Sequence, residues 1–123
     1  MLFFILHNQS LNQPIKSQNS KSIISALSGL GTTSSGMQNF QQSANFHLQA
    51  ANHVTGNPLH RSRELGRAGT AAMRIPDHEQ VMGIHLKREK LIEEGEDCDE
   101  VKQEKVDVYQ SLAAVYKEIR QLV

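Results

Sequence analysis

The chain has no tryptophan, one cysteine, three prolines and only 5% aromatic residues among its 123 positions. The lone Cys98 excludes an intrachain disulfide and a cysteine-based zinc site. The scarcity of aromatics removes the stacking platforms on which single strands of nucleic acid are held. Long apolar runs are missing too. Met1 to Leu6 is apolar, but it lacks a basic flank, and polar His7 to Ser10 follow at once. That is too short for a signal-peptide core or a membrane span. The expectation is a protein made in the cytoplasm, with signal-peptide-independent export as the alternative. Net charge is zero, yet residues 1–76 carry six basic residues against one acidic, and residues 77–123 seven against twelve. Opposite-sign halves favour folding back or head-to-tail association and give no uniform field for steering nucleic acid.

What the chain does have is a patterned C-terminal stretch. Val101, Val108, Val115 and Leu122 recur in steps of seven, Leu112 and Ile119 lie four residues after members of that file, and Tyr109, Tyr116 and Val123 run beside it. Together they predict an amphipathic helix whose apolar face is wider than a two-position coiled-coil seam. One helix cannot hide such a face alone. A second seven-step file, Ile23, Leu30, Met37, Ala44 and Ala51, is flanked by Leu27 and Leu48 and predicts a helix over residues 22–54. Gly29, Gly31 and Gly36 weaken that helix, so it is expected to form only against a partner surface.

Between these patterns the reading is coarser. Residues 1–21 read as a disordered lead and 55–76 as a basic loop around Arg61 and Arg63, with at most a short helix. Asp77-His78-Glu79-Gln80 is a capping box that opens a helix ending at Gly95, and Asp97 to Glu100 repeats the cap for the terminal helix. Two helices joined by a few polar residues form an antiparallel αα-hairpin over 77–123. The fold expected is all-α: this hairpin plus a conditional N-terminal helix, in three-helix or coiled-coil packing.

Ile24-Ser25-Ala26-Leu27-Ser28-Gly29-Leu30, with Ala51-Asn52 and Thr55-Gly56 further on, resembles the N-terminal segment of bacterial flagellar axial proteins (rod and hook subunits). The resemblance spans some thirty residues. It implies an N-terminal helix paired with a C-terminal one in an assembled structure. The stretch from Met37 to Ala51 is about a heptad longer than that family's pattern, and the usual aromatic after the glycine is absent.

Candidate chemistry is sparse. His78 and His85 share a helical face, but seven residues separate them by about 10.5 Å along the axis, too far to share one ion. His47, His53 and His60 straddle an expected helix end without ligand geometry. Arg61, Arg63, Arg67 and Arg74 suit phosphate, but are expected instead to meet the acidic run Glu93 to Glu100 of the same or a neighbouring subunit. Gly66-Arg67-Ala68-Gly69 lacks the lysine and preceding strand of a phosphate loop. Cys98 lies among Asp97, Asp99 and Glu100, not beside the basic groups that activate a nucleophilic thiol. The expectation is therefore no enzyme, no cofactor, no metal and no nucleic acid. The function expected is a structural or assembly subunit, with a small helical adaptor, chaperone or regulator of one protein partner as the alternative. The residues expected to carry it are Val101, Val108, Tyr109, Leu112, Val115, Tyr116, Ile119 and Leu122 on the terminal stripe, Ile23, Leu27, Leu30 and Met37 on the first file, and Arg61 and Arg63.

Overall fold

Capping chemistry divides the chain into helices. The computed structural model describes residues 17–75, 77–95 and 97–121, and among them five helices follow in order: α1 (Ser17–Gly36), α2 (Phe40–His53), α3 (Pro58–Ala72), α4 (His78–Glu93) and α5 (Asp99–Gln121). Side-chain oxygens of Asn39, Asn57 and Asp77 accept the backbone N–H of Gln42, His60 and Gln80 at 3.3, 3.0 and 3.1 Å, opening α2, α3 and α4. At Asp77 only the N-cap half of the expected capping box forms: the Asp77 N–H bonds to the Ile75 carbonyl at 2.7 Å, and Gln80 Oε1 is buried without a hydrogen-bond partner. In α5 the Lys102 N–H bonds to the Cys98 carbonyl at 3.0 Å, so that helix starts one residue later than a cap at Asp97 implies.

The single helix expected over residues 22–54 is two. After Gly36 the chain turns through Gln38, the one described non-glycine residue with positive φ (63°). Asn39 N–H reaches the Ser34 carbonyl at 2.8 Å and Gln38 N–H reaches Ser35 at 2.9 Å, which is a Schellman stop. The seven-step file is broken by that stop: Ile23, Leu27, Ala44 and Ala51 are buried, but Leu30 is 37% and Met37 76% exposed. The expected loop at 55–76 is corrected as well, because residues 58–72 form α3, with Pro58 in its first turn. Of the expected lead, residues 17–21 are helical and 1–16 lie outside the described residues.

Each helix packs on the next in sequence, and α5 also touches α3. Short connections make the neighbours antiparallel. Three apolar clusters fill the seams in turn. Ile23, Ile24, Leu27, Ala50 and Val54 join α1 to α2. Alanines of α2 and α3 meet Val81, Ile84 and Val115 in the centre. Ile92, Val108 and Leu112 join α4 to α5. The αα-hairpin of α4 and α5 is thus present in an all-α fold. Ile23, Ile24 and Leu27 of α1 pack on Ala50 and Val54, so within this chain the first helix pairs with the second. Nor do the charged halves neutralise each other: every ion pair among the described residues joins groups within residues 17–75 or within 77–121.

Candidate partner-binding face

α5 is held in place by a buried polar clamp. Ser62, Gly66 and Gly69 recur at helical spacing on α3 and leave a shallow trough, into which α4 projects Arg88 and His85. Arg88 is 1% exposed. Its guanidinium donates to Glu104 at 2.8 Å and Asp107 at 2.6 Å, both on α5, while its Nε reaches the Ser62 hydroxyl at 3.4 Å. Ser62 in turn donates to Glu104 at 2.7 Å. A buried guanidinium needs this many acceptors, because an unpaired ion in the interior costs several kcal/mol. Arg88 also lies 3.1 Å from His85 Nδ1. Arginine can only donate, so Nδ1 accepts and the imidazole is neutral, with its proton on Nε2. Burial, reinforced by the Arg88 charge, pushes the His85 pKa down to about 4.

A second polar cluster ties α1, α2 and α3. Glu64 is buried between His47 at 3.3 Å, Ser28 at 3.2 Å and Arg67 of its own helix. Burial acts to raise its carboxyl pKa, but the His47 hydrogen bond, the Arg67 charge and the Ser28 hydroxyl outweigh it and hold the group below the ordinary range. Gly31 makes room for the His47 ring, and its carbonyl accepts the Ser43 hydroxyl at 2.7 Å.

With its inner side fixed, α5 still has apolar residues to spare. Val101, Val108, Leu112 and Val115 are buried and Ile119 is half-buried, whereas Tyr109 and Tyr116 are 50% and 55% exposed. Val106 and Ala113 are exposed as well, and Val106, Tyr109, Ala113 and Tyr116 follow one another at steps of three and four residues. They form one outward stripe beside the buried one. Lys102 and Arg120 continue the stripe at either end, and Lys105 and Lys117 lie one turn from Tyr109 and Ala113. Asp107 and Glu118 fall on other faces of the helix.

The expected interaction residues thus separate into three groups. Val101, Val108, Leu112, Val115, Ile23 and Leu27 are enclosed by this chain's own helices, with Ile119 partly so. Tyr109, Tyr116, Leu30, Met37, Arg61 and Arg63 are exposed. Leu122 lies outside the described residues. Within this chain no ion pair among the described residues joins these arginines to the acidic run: Arg67 pairs with Glu64, Arg74 stands 4.8 Å over the Phe40 ring in a cation–π contact, and Arg61 lines one groove with Glu94. His85 and His47 belong to the polar clusters, and among the described residues no three His, Cys, Asp or Glu side chains are grouped to hold a metal ion.

Sequence reasoning missed Arg88, Glu104 and Glu64. One signal was present: Ser62, Gly66 and Gly69 mark a helix face with little side chain, and such a face accepts a large neighbour. Protein-family models, curated proteins and solved structures contain no match to this chain.

Proposed function

We propose that this protein is a helical binding module that engages one protein partner, an acidic amphipathic helix, through the outward stripe of α5. The observation that carries this reading is the second stripe itself. Val106, Tyr109, Ala113 and Tyr116 stay exposed after the inner residues of the same helix are spent on the fold. Tyrosines suit such a surface, since each offers a broad apolar ring and a polar tip at small entropic cost. Contacts at i, i+3, i+7 and i+10 are the spacing with which one helix receives another.

Charge selects the occupant. The stripe is bordered by Lys102, Lys105, Lys117 and Arg120, against Asp99 on its edge and Asp97 3.9 Å from Lys102, which leaves the border with an excess of positive charge. A second copy laid antiparallel on this face would bring Lys102 and Lys105 towards Lys117 and Arg120, like against like. Glutamates flanking a partner's leucines would be attracted instead. Burial of α1 and α2 inside the chain favours a self-contained module over an assembly subunit whose N-terminal helix waits for polymerisation.

The test is fluorescence anisotropy with two synthetic helical peptides that share leucines at i, i+3 and i+7, one flanked by glutamates and the other by lysines. The glutamate peptide should bind, with affinity reduced at least about tenfold by Tyr109→Ala/Tyr116→Ala and by raised salt. The lysine peptide should not bind. Equal binding of the two peptides, or none by either, contradicts the reading. A dimer in light scattering that Tyr116→Ala dissolves would point to self-association instead.

A further inference from the structure

A groove away from α5, between α2, α3 and α4, has an apolar floor and a cationic mouth. Its volume is about 380 Å³, within the range of small-molecule sites. Leu65 is buried and Leu48 and Leu91 are half-buried along the floor, while exposed Arg61, Lys87 and Lys90 stand at the rim. Lys87 and Lys90 are three residues apart on α4 and so project to the same side. Among the described residues none of these three cations forms an ion pair. Glu94 lines the same groove, leaving an excess of positive charge. A second hollow of about 280 Å³ shares Asn52, Arg61 and Leu91 with the first and extends it to Val54 and Pro58.

From this juxtaposition we infer that the groove binds a free single-chain fatty acid, with its carboxylate among Arg61, Lys87 and Lys90 and its chain along the leucines. A guanidinium offers a carboxylate two parallel N–H donors, and flanking ammonium groups add attraction without fixing geometry. The hydrocarbon gains from leaving water in proportion to the apolar area it covers. A small inorganic anion would leave the floor unused. An uncharged chain would leave the cations unused. The groove is too small for a protein helix.

Isothermal titration of the full chain with decanoate, kept below its micellar concentration, tests the inference. Decanol and inorganic phosphate serve as the tail without the charge and the charge without the tail. Saturable one-to-one binding of decanoate is expected, with decanol and phosphate each at least tenfold weaker. Lys87→Gln/Lys90→Gln should weaken decanoate at least tenfold while leaving the thermal midpoint unchanged, because both side chains are exposed. Absence of saturable decanoate binding overturns the inference. So does equal binding of decanol, or indifference to the double substitution. Association with phosphatidylglycerol vesicles but not with decanoate would also overturn it, in favour of a membrane surface. None of these outcomes bears on the α5 stripe.

Discussion

Arg88 is the largest of the fully enclosed side chains, and its guanidinium lies against Gly66, where an added Cβ would stand 2.9 Å from Cζ. Gly69 faces His85 at 2.7 Å and Gly31 faces His47 at 2.6 Å in the same way. At these positions glycine is required by close approach, not by turn geometry. Gly66→Ala should therefore lower stability by about 1–3 kcal/mol in urea unfolding. Gly29→Ala, whose Cβ meets nothing within 4 Å, should raise it by about 1 kcal/mol. If both alanines act alike, the trough is not real. Arg88→Ala should cost about 3–5 kcal/mol, because Glu104 would remain buried without its partner. The clamp also sets a pH dependence. His85 is neutral in the fold with a pKa of about 4, against 6.5 when free, so the unfolded chain binds more protons between those values. Its contribution is complete above pH 6.5 and is lost as pH falls towards 4, on the order of 3 kcal/mol at most. Glu64 adds a further loss below its ordinary 4.5, as acid reaches its depressed folded value. His85→Gln should flatten the slope of stability between pH 6.5 and 4, and an unchanged slope would place the titrating group elsewhere.

Among the helices, the instructive feature is the break between α1 and α2. Gln38 holds the left-handed position of a Schellman stop that glycine usually fills, at a cost of about 1–2 kcal/mol for a residue bearing Cβ. Gln38→Gly should thus raise the unfolding midpoint, by the equivalent of about 0.5–1 kcal/mol once the added chain entropy is deducted. A lower midpoint would show that the Gln38 side chain matters more than its φ. The break was readable in principle. Asn39-Phe40-Gln41-Gln42 is an N-cap with Gln at the third helical position, and Asn39 Nδ2 donates to Gln42 Oε1 at 2.8 Å. A hydrophobic file that happened to continue through Met37 concealed it. The start of α3 was likewise written in Asn57-Pro58, a cap followed by a first-turn proline, which reads equally as a turn. Gly66 and Gly69 argued against a helix there. Packing on α2, α4 and α5 outweighs that propensity, and no local signal reports it.

On the scale of the whole molecule, the fold is a serial array in which each helix is covered by its sequence neighbours and α5 is left with one face uncovered. The inner file Val101, Val108 and Val115 was legible because a period of seven can be counted. Which of two adjacent files turns inward was not legible, since Val108–Val115 and Tyr109–Tyr116 differ by a single residue of register. That choice depends on where Arg88 clamps α5, a contact between residues 16 and 19 positions apart in the chain. The charge imbalance of the two halves misled for a related reason: the carboxylates that matter are paired locally, inside each half.

The claim on which the functional reading depends is that the chain closes on itself and does not wait for a partner to order its N-terminal helices. Hydrogen exchange on the dilute, monomeric protein tests it most directly. Amides in α1 and α2 should be protected together with those of α4 and α5, grading from strongest in the central α3 to weakest in α1, which has a neighbour on one side only. Free exchange from Ile23 to Ala51 alongside a protected hairpin over 78–121 would contradict it, and would return the first two helices to the role of an element that folds only on assembly.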